Sequence, residues 1–172
     1  DRGSTGFGKK FLDASRRQWA AAMHDDLIDA VEWAVAEGVT LPDQVAIMGG
    51  SYGGYMVLAA LTFRPLEFAV GVDMFGISNW VRTLNSIPPW WEARREALYE
   101  ELGDPRVESD YLRRISPLFH AGSIVRPLLV LQGANDPRVL KVESDEIVAA
   151  VESEAYDLII ANFANPDMVG HT

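Results

Sequence analysis

The chain has 172 residues, of which 48% are hydrophobic and 23% charged, the balance of one globular domain with a sizeable core. Its 15 basic and 25 acidic residues give a net charge of −10. No Lys or Arg run offers a phosphate-binding face, so nucleic acid is not an expected partner. Cysteine is absent, which excludes disulfides, thiolate metal sites and cysteine nucleophiles and fits a reducing, cytoplasmic setting.

No apolar run approaches the ~18 residues of a membrane span, and no signal peptide opens the chain. It begins Asp1-Arg2-Gly3 without a methionine, so the natural start is expected upstream. The first twenty residues are turn-rich and basic-polar. Leu27, Val31, Ala34 and Val35 recur at helical spacing and predict a helix over 25–37, with Gly38 as its C-cap. Val45 to Met48 reads as a buried strand, 55–61 as a helix, and 68–73 as a second strand. Residues 77–122 read as irregular to helical, with a charged helix near 92–102 and a break at Ser116-Pro117. A third strand is predicted at 128–132, a helix at 144–152, and a fourth strand at 157–161. Strands alternating with helices over short connections predict a parallel sheet with helices on both faces.

Catalytic groups of such sheets gather at the carboxyl ends of the strands. Gly49-Gly50-Ser51-Tyr52-Gly53-Gly54 lies there, directly after a strand and before a helix, and fits G-x-S-x-G in the context that gives the pattern meaning. The turn is sharp, so Gly49 and Gly53 are expected to permit a close approach of strand and helix. Ser51 would project above the sheet, with the Tyr52 N–H aimed at a developing oxyanion. The plain alternative is a glycine turn with an idle serine. Asp136, in the loop after the third strand, could orient a histidine and stabilise its imidazolium. Its plain alternative is an Asx turn beside Pro137.

Arg2-Gly3-Ser4-Thr5-Gly6-Phe7-Gly8, Met23-His24-Asp25-Asp26, the turn from Gly49 to Tyr55, Ser116-Pro117 and Gly133-Ala134-Asn135-Asp136-Pro137-Arg138-Val139 stand in an order and spacing that resemble the prolyl oligopeptidase family. The match runs from residue 1 to about 150 and resembles most the acylaminoacyl- and dipeptidyl-peptidase branch. The resemblance implies an incomplete α/β-hydrolase fold acting on a peptide or small acyl substrate without a cofactor. It implies Ser51 as nucleophile, Asp136 as triad acid and the Tyr52 amide as one oxyanion donor. It also implies absent parts: an N-terminal β-propeller, the first strands of the sheet, and the loop giving the second oxyanion donor.

Three histidines are available. His120 precedes the third strand, whose five residues span ~17 Å, and should lie far from Asp136. His24 precedes the serine, against the hydrolase order of Ser, Asp, His, and reads as a solvated residue in a first helical turn. His171 follows the fourth strand in the right order and is the triad candidate. Yet the tail from Tyr156 to Thr172, with Asn165-Pro166-Asp167-Met168-Val169-Gly170-His171, resembles cofactor-independent phosphoglycerate mutase, in which Asp167 and His171 would be metal ligands. Residues 1–150 are therefore expected to form the hydrolase part. Residues 151–172 are expected to be a tail joined between Glu143 and Tyr156. Two ligands are too few for a catalytic metal, so no functioning metal site is expected.

Trp80, Trp90 and Trp91 could line a pocket, although core packing of a cap is the plainer reading. The charges from Glu92 to Glu101 read as a solvated helix face. A serine peptidase is the main reading. The rivals are metal-dependent phosphoryl transfer, resting on the tail, and a truncated chain that catalyses nothing.

Overall fold

The computed structural model describes residues 1–152 and the strand 158–161. His171, Asp167 and the rest of 162–172 lie outside the described residues. Four strands, β1 (Ala46–Gly50), β2 (Val70–Met74), β3 (Leu128–Leu131) and β4 (Leu158–Ala161), pair in parallel in the order β1-β2-β3-β4. Gly49, Asp73, Val130 and Ile160 stand in one row across the sheet. All four strands therefore end along a single rim.

The helices are α1 (Lys9–Asp13), α2 (Ala22–Ala36), α3 (Tyr52–Phe63), α4 (Trp80–Asn85), α5 (Arg95–Leu102), α6 (Ser109–Arg114) and α7 (Lys141–Glu152). Short 3-10 turns occupy Pro89–Arg94 and Pro117–Ser123. Helix α3 is apolar all round, as a buried helix must be, and every residue from Gly54 to Thr62 is buried. It packs with Ile47 of β1, Leu128 and Val130 of β3 and Ile147 and Val151 of α7 into one core. Leu27, Ile28 and Val31 of α2 close that core at its margin. At the alternate sheet positions Met48 is 70% exposed and Val72 and Leu129 are half-buried. Among the described residues, that face is the more open one.

Local physics accounts for where the elements differ from expectation. Helix α3 starts at Tyr52, three residues early: Gly53 and Gly54 lower helix propensity and so mask its first turn in the sequence, while the missing side chain of Gly54 lets that turn approach Gly76. The charged segment splits into a 3-10 turn and α5, since Pro88 and Pro89 cannot join a regular helix interior. Gly38, at φ +70°, terminates the chain's second helix as the sequence suggests. Lys9–Asp13 forms a helix of five residues, too short to leave a periodic trace.

Candidate active site

Ser51 sits between the last residue of β1 and the first of α3, at φ 55° and ψ −116°. This is one of four non-glycine residues with positive φ among those described, a conformation costing about 1–3 kcal/mol that persists only where surroundings enforce it. Here they do. The Ser51 N–H donates to Met74 O on β2 at 3.0 Å, and Ser51 O accepts from Tyr55 N at 3.0 Å. The residue is exposed at the rim. The Tyr52 N–H, in the first turn of α3, has no intrahelical acceptor.

The glycines divide the work differently from the symmetrical expectation. A Cβ on Gly49 would fall 2.5 Å from both the carbonyl carbon and oxygen of Gly53, whereas a Cβ on Gly53 meets nothing within 4 Å. Of the two, only Gly49 is sterically compelled, because a side chain there would point into the helix backbone while one on Gly53 would point into open space. Gly54 makes the second close approach, against Gly76. Added Cβ atoms there would meet the other glycine's backbone at 2.5–2.6 Å and Asp73 Oδ1 at 2.3–2.4 Å.

Asp136 lies two strands across the rim, in the loop after β3. Its Oδ1 accepts from Arg138 N at 2.8 Å and Val139 N at 2.9 Å, so the Asx turn is formed. The same carboxylate is half-buried and keeps Oδ2 without a described hydrogen bond. The turn and an orienting role are therefore compatible in one side chain. Gln132 and Ser144 brace the loop: Gln132 Nε2 donates to Val139 O at 3.2 Å, and Ser144 Oγ to Gln132 Oε1 at 2.8 Å.

A cavity of about 190 Å³ opens at Ser51, and its walls are mostly apolar: Trp19, Tyr52, Ile77, Trp80, Leu84, Trp91, Leu98 and Val139 among others. Of the three tryptophans singled out in the sequence, Trp80 and Trp91 line it, while Trp90 is 61% exposed. Trp80 is both pocket wall and core, being 4% exposed. Trp19 meets Tyr52 and Trp80 in edge contacts at 4.6 and 5.0 Å. Ser116, read in the sequence as a break before Pro117 and as one segment of the family resemblance, accepts the Trp80 N–H at 2.9 Å. The charge run is not solvated throughout. Glu101 accepts from Ser15 Oγ at 2.7 Å and Trp19 Nε1 at 3.3 Å, because Arg17 ties that loop to α5 through Glu101 O.

The expectation of a solvated His24 is overturned. Its side chain is 2% exposed, without a hydrogen bond to either ring nitrogen, and burial lowers its pKa to about 4, with help from the Arg64 charge. His120 stacks edge-on upon Phe63, at 5.3 Å, at the opposite end of α3 from Ser51. A helix of twelve residues separates its ends by ~18 Å, so His120 is remote from the serine. Asp73 went unnoticed in the sequence. It is fully buried beneath the first turn of α3; neither carboxylate oxygen has a partner at full hydrogen-bond geometry, and burial pushes its pKa up to about 8 against the weaker opposing pull of the Gly76 N–H. Among the described residues, no group of three or more His, Cys, Asp or Glu is placed to hold a metal. No described helix is long and apolar enough to cross a membrane.

A parallel sheet with a strained serine turn after one strand and a carboxylate loop two strands along defines a chain of the α/β-hydrolase class. The sequence profile of the prolyl oligopeptidase family matches residues 1–167, and the chain belongs to that family. It is 56% identical over 155 residues to dipeptidyl aminopeptidase BIII of Pseudoxanthomonas mexicana, covering 89% of this chain and 22% of that protein. It is 47% identical over 156 residues to dipeptidyl peptidase family member 6 of Caenorhabditis elegans, covering 89% and 21%. A puromycin-hydrolyzing peptidase of Mycobacterium tuberculosis superposes with a TM-score of 0.87 at 31% identity, over 95% of this chain and 24% of that one. The chain thus spans about a fifth to a quarter of the length of these relatives.

Proposed function

We propose that this chain supplies the nucleophile and the acyl-side pocket of a serine peptidase acting on peptides or small acyl substrates. Ser51 Oγ attacks the scissile carbonyl carbon while a histidine takes its proton. The carbonyl oxygen becomes an oxyanion facing the Tyr52 N–H. Collapse breaks the C–N bond, the histidine returns the proton to the leaving amine, and water then hydrolyses the ester to Ser51 by the reverse proton path. Asp136 holds that histidine in its tautomer and offsets its charge. His171 is our candidate for the base, by its position in the order Ser, Asp, His.

The observation that carries this reading is the opening of an apolar, tryptophan-lined cavity directly at the strained, exposed Ser51. Such a cavity accepts an uncharged apolar side chain next to the bond attacked. The relatives' names, two of them dipeptidyl peptidases, support a peptide substrate. The lack of cysteine supports a cytoplasmic setting, and the −10 net charge supports a partner other than nucleic acid. The tail from residue 151 remains proposed as a segment distinct from the hydrolase part.

The test is turnover of aminoacyl p-nitroanilides by the natural protein carrying this chain. Ser51→Ala should lower kcat by about 10⁶-fold, the scale for removing a serine nucleophile. Turnover that survives the substitution would refute the assignment.

A further inference from the structure

Helix α7 opens with a carboxylate on its apolar stripe. Glu143, Ile147 and Val151 recur every four residues, and all three are buried. Glu143 is 2% exposed and carries more polar contacts than any core packing role needs. Its Oε2 accepts from Ser78 N at 3.0 Å and from Asn79 N at 2.8 Å. The Ser78 hydroxyl lies 2.8 Å from Oε2 and equally from Glu143 O. On Oε1, Thr83 Oγ1 donates at 3.2 Å and the Arg82 guanidinium pairs at 3.3 Å, while Arg82 also binds Glu146.

These donors all belong to the start of α4. A six-residue helix cannot hold itself in place, and its first turn has backbone N–H groups that need acceptors. Glu143 supplies acceptors for Ser78 and Asn79, Ser116 for Trp80, and Asn79 for Arg82. Helix α4 carries Trp80, Thr83 and Leu84 into the cavity beside Ser51. The Asp136 loop enters α7 immediately before Glu143, and the adjacent Ser144 braces it through Gln132. One helical turn therefore fixes the pocket wall and the carboxylate loop with respect to each other.

We infer that Glu143 is a positioning residue that sets the width of the substrate pocket, by holding the first turn of α4 against the turn of α7 that braces the Asp136 loop. This rests on the cavity's being the acyl-side pocket of the proposed peptidase. Its effect falls on bulky apolar side chains, which must fill the Trp80–Leu84 wall, and spares small ones.

Two substitutions in the natural protein test this. Glu143→Gln keeps the size and one acceptor oxygen, but removes the charge that pairs with Arg82 and turns an NH₂ group toward that guanidinium, which can only donate, while the Thr83 hydroxyl must reverse its role to accept. Glu143→Ala removes every acceptor. Binding of N-acetyl-phenylalaninamide, followed by tryptophan fluorescence, should weaken by about 3- to 10-fold in Glu143→Gln, the range expected for one or two lost hydrogen bonds, and by more in Glu143→Ala. In turnover, KM for a phenylalanyl anilide should rise in parallel while the KM of a glycyl anilide stays within about 2-fold. Binding unchanged in Glu143→Gln would overturn the inference, and that variant decides alone if Glu143→Ala does not fold. No binding to the unsubstituted protein would overturn it too, since there would be no pocket to shape. Absent turnover with intact, Glu143-sensitive binding would refute the peptidase reading and leave the positioning role standing.

Discussion

The serine turn and the pocket wall are held by opposite means. The turn is built from residues adjacent in sequence: Gly49 and Gly53 touch because a strand and a helix meet across one residue, and Ser51 is strained between them. The wall is held by partners far apart in the chain. Ser78 and Asn79 reach Glu143 across 65 and 64 positions, Trp80 reaches Ser116 across 36, and Trp19 reaches Glu101 across 82. A local device is specified by a few residues whose order can be recognised. A device of long-range hydrogen bonds is specified by pairs, and one sequence does not say which residues pair.

The largest effect expected from breaking the turn is that of Gly49→Ala. Its Cβ would meet backbone rather than a movable side chain, so relief requires shifting β1 or α3, at a cost of at least about 1–3 kcal/mol. Gly53→Ala should be neutral or stabilise by up to about 1 kcal/mol, since the added methyl enters open space and alanine favours the helix. Chemical denaturation of both variants checks this. Equal losses would mean that the two glycines share the approach after all.

Two buried titratable groups then separate the regions by pH. Asp73, under the turn, has its pKa raised to about 8. At pH values between about 4 and 8 the folded state holds a proton that the unfolded state releases, so its contribution falls as pH rises across that window. Asp73→Asn should therefore gain stability over the parent progressively from pH 4.5 to pH 7.5, as read by thermal melting. A pH-independent difference would contradict the buried, neutral acid.

His24 has the opposite sign and a smaller displacement. Its pKa is lowered to about 4, so its contribution is complete above pH 6.5 and is lost as pH falls towards 4, by at most about 3 kcal/mol. His24→Phe should flatten that acid limb. A limb unchanged in the variant would show that another group carries it. The surface pair of Arg106 and Asp104, at 2.6 Å, should matter least, with Arg106→Ala leaving the melting temperature nearly unchanged and any loss shrinking in high salt.

The same division explains what the sequence could disclose. The parallel sheet was legible because Ala46-Ile47-Met48, Val70 to Asp73 and Leu128 to Leu131 are short apolar runs between helical patterns, and burial alone makes such runs strands. Ser51 and Asp136 were legible as candidates because each follows such a strand. The fully buried Asp73 was not, since one acidic residue ending an apolar run gives no hint that its side chain turns under α3. His24 was misread as solvated because the first turn of a helix is commonly exposed; here that position is buried. Glu143 did leave a signal: a carboxylate in phase with Ile147 and Val151 lies on a helix's apolar stripe, where it must find partners or stay uncharged. Which partners it finds is a property of the fold.

We propose that the strained turn presents Ser51 as a nucleophile at the mouth of the apolar pocket. The most direct test is reaction of the natural protein with a fluorophosphonate bearing a phenylalkyl group, followed by peptide mass mapping. A single adduct on Ser51 is expected, slowed by competing N-acetyl-phenylalaninamide and absent in Ser51→Ala. An adduct on any other residue, or labelling of Ser51 indifferent to that competitor, would contradict it.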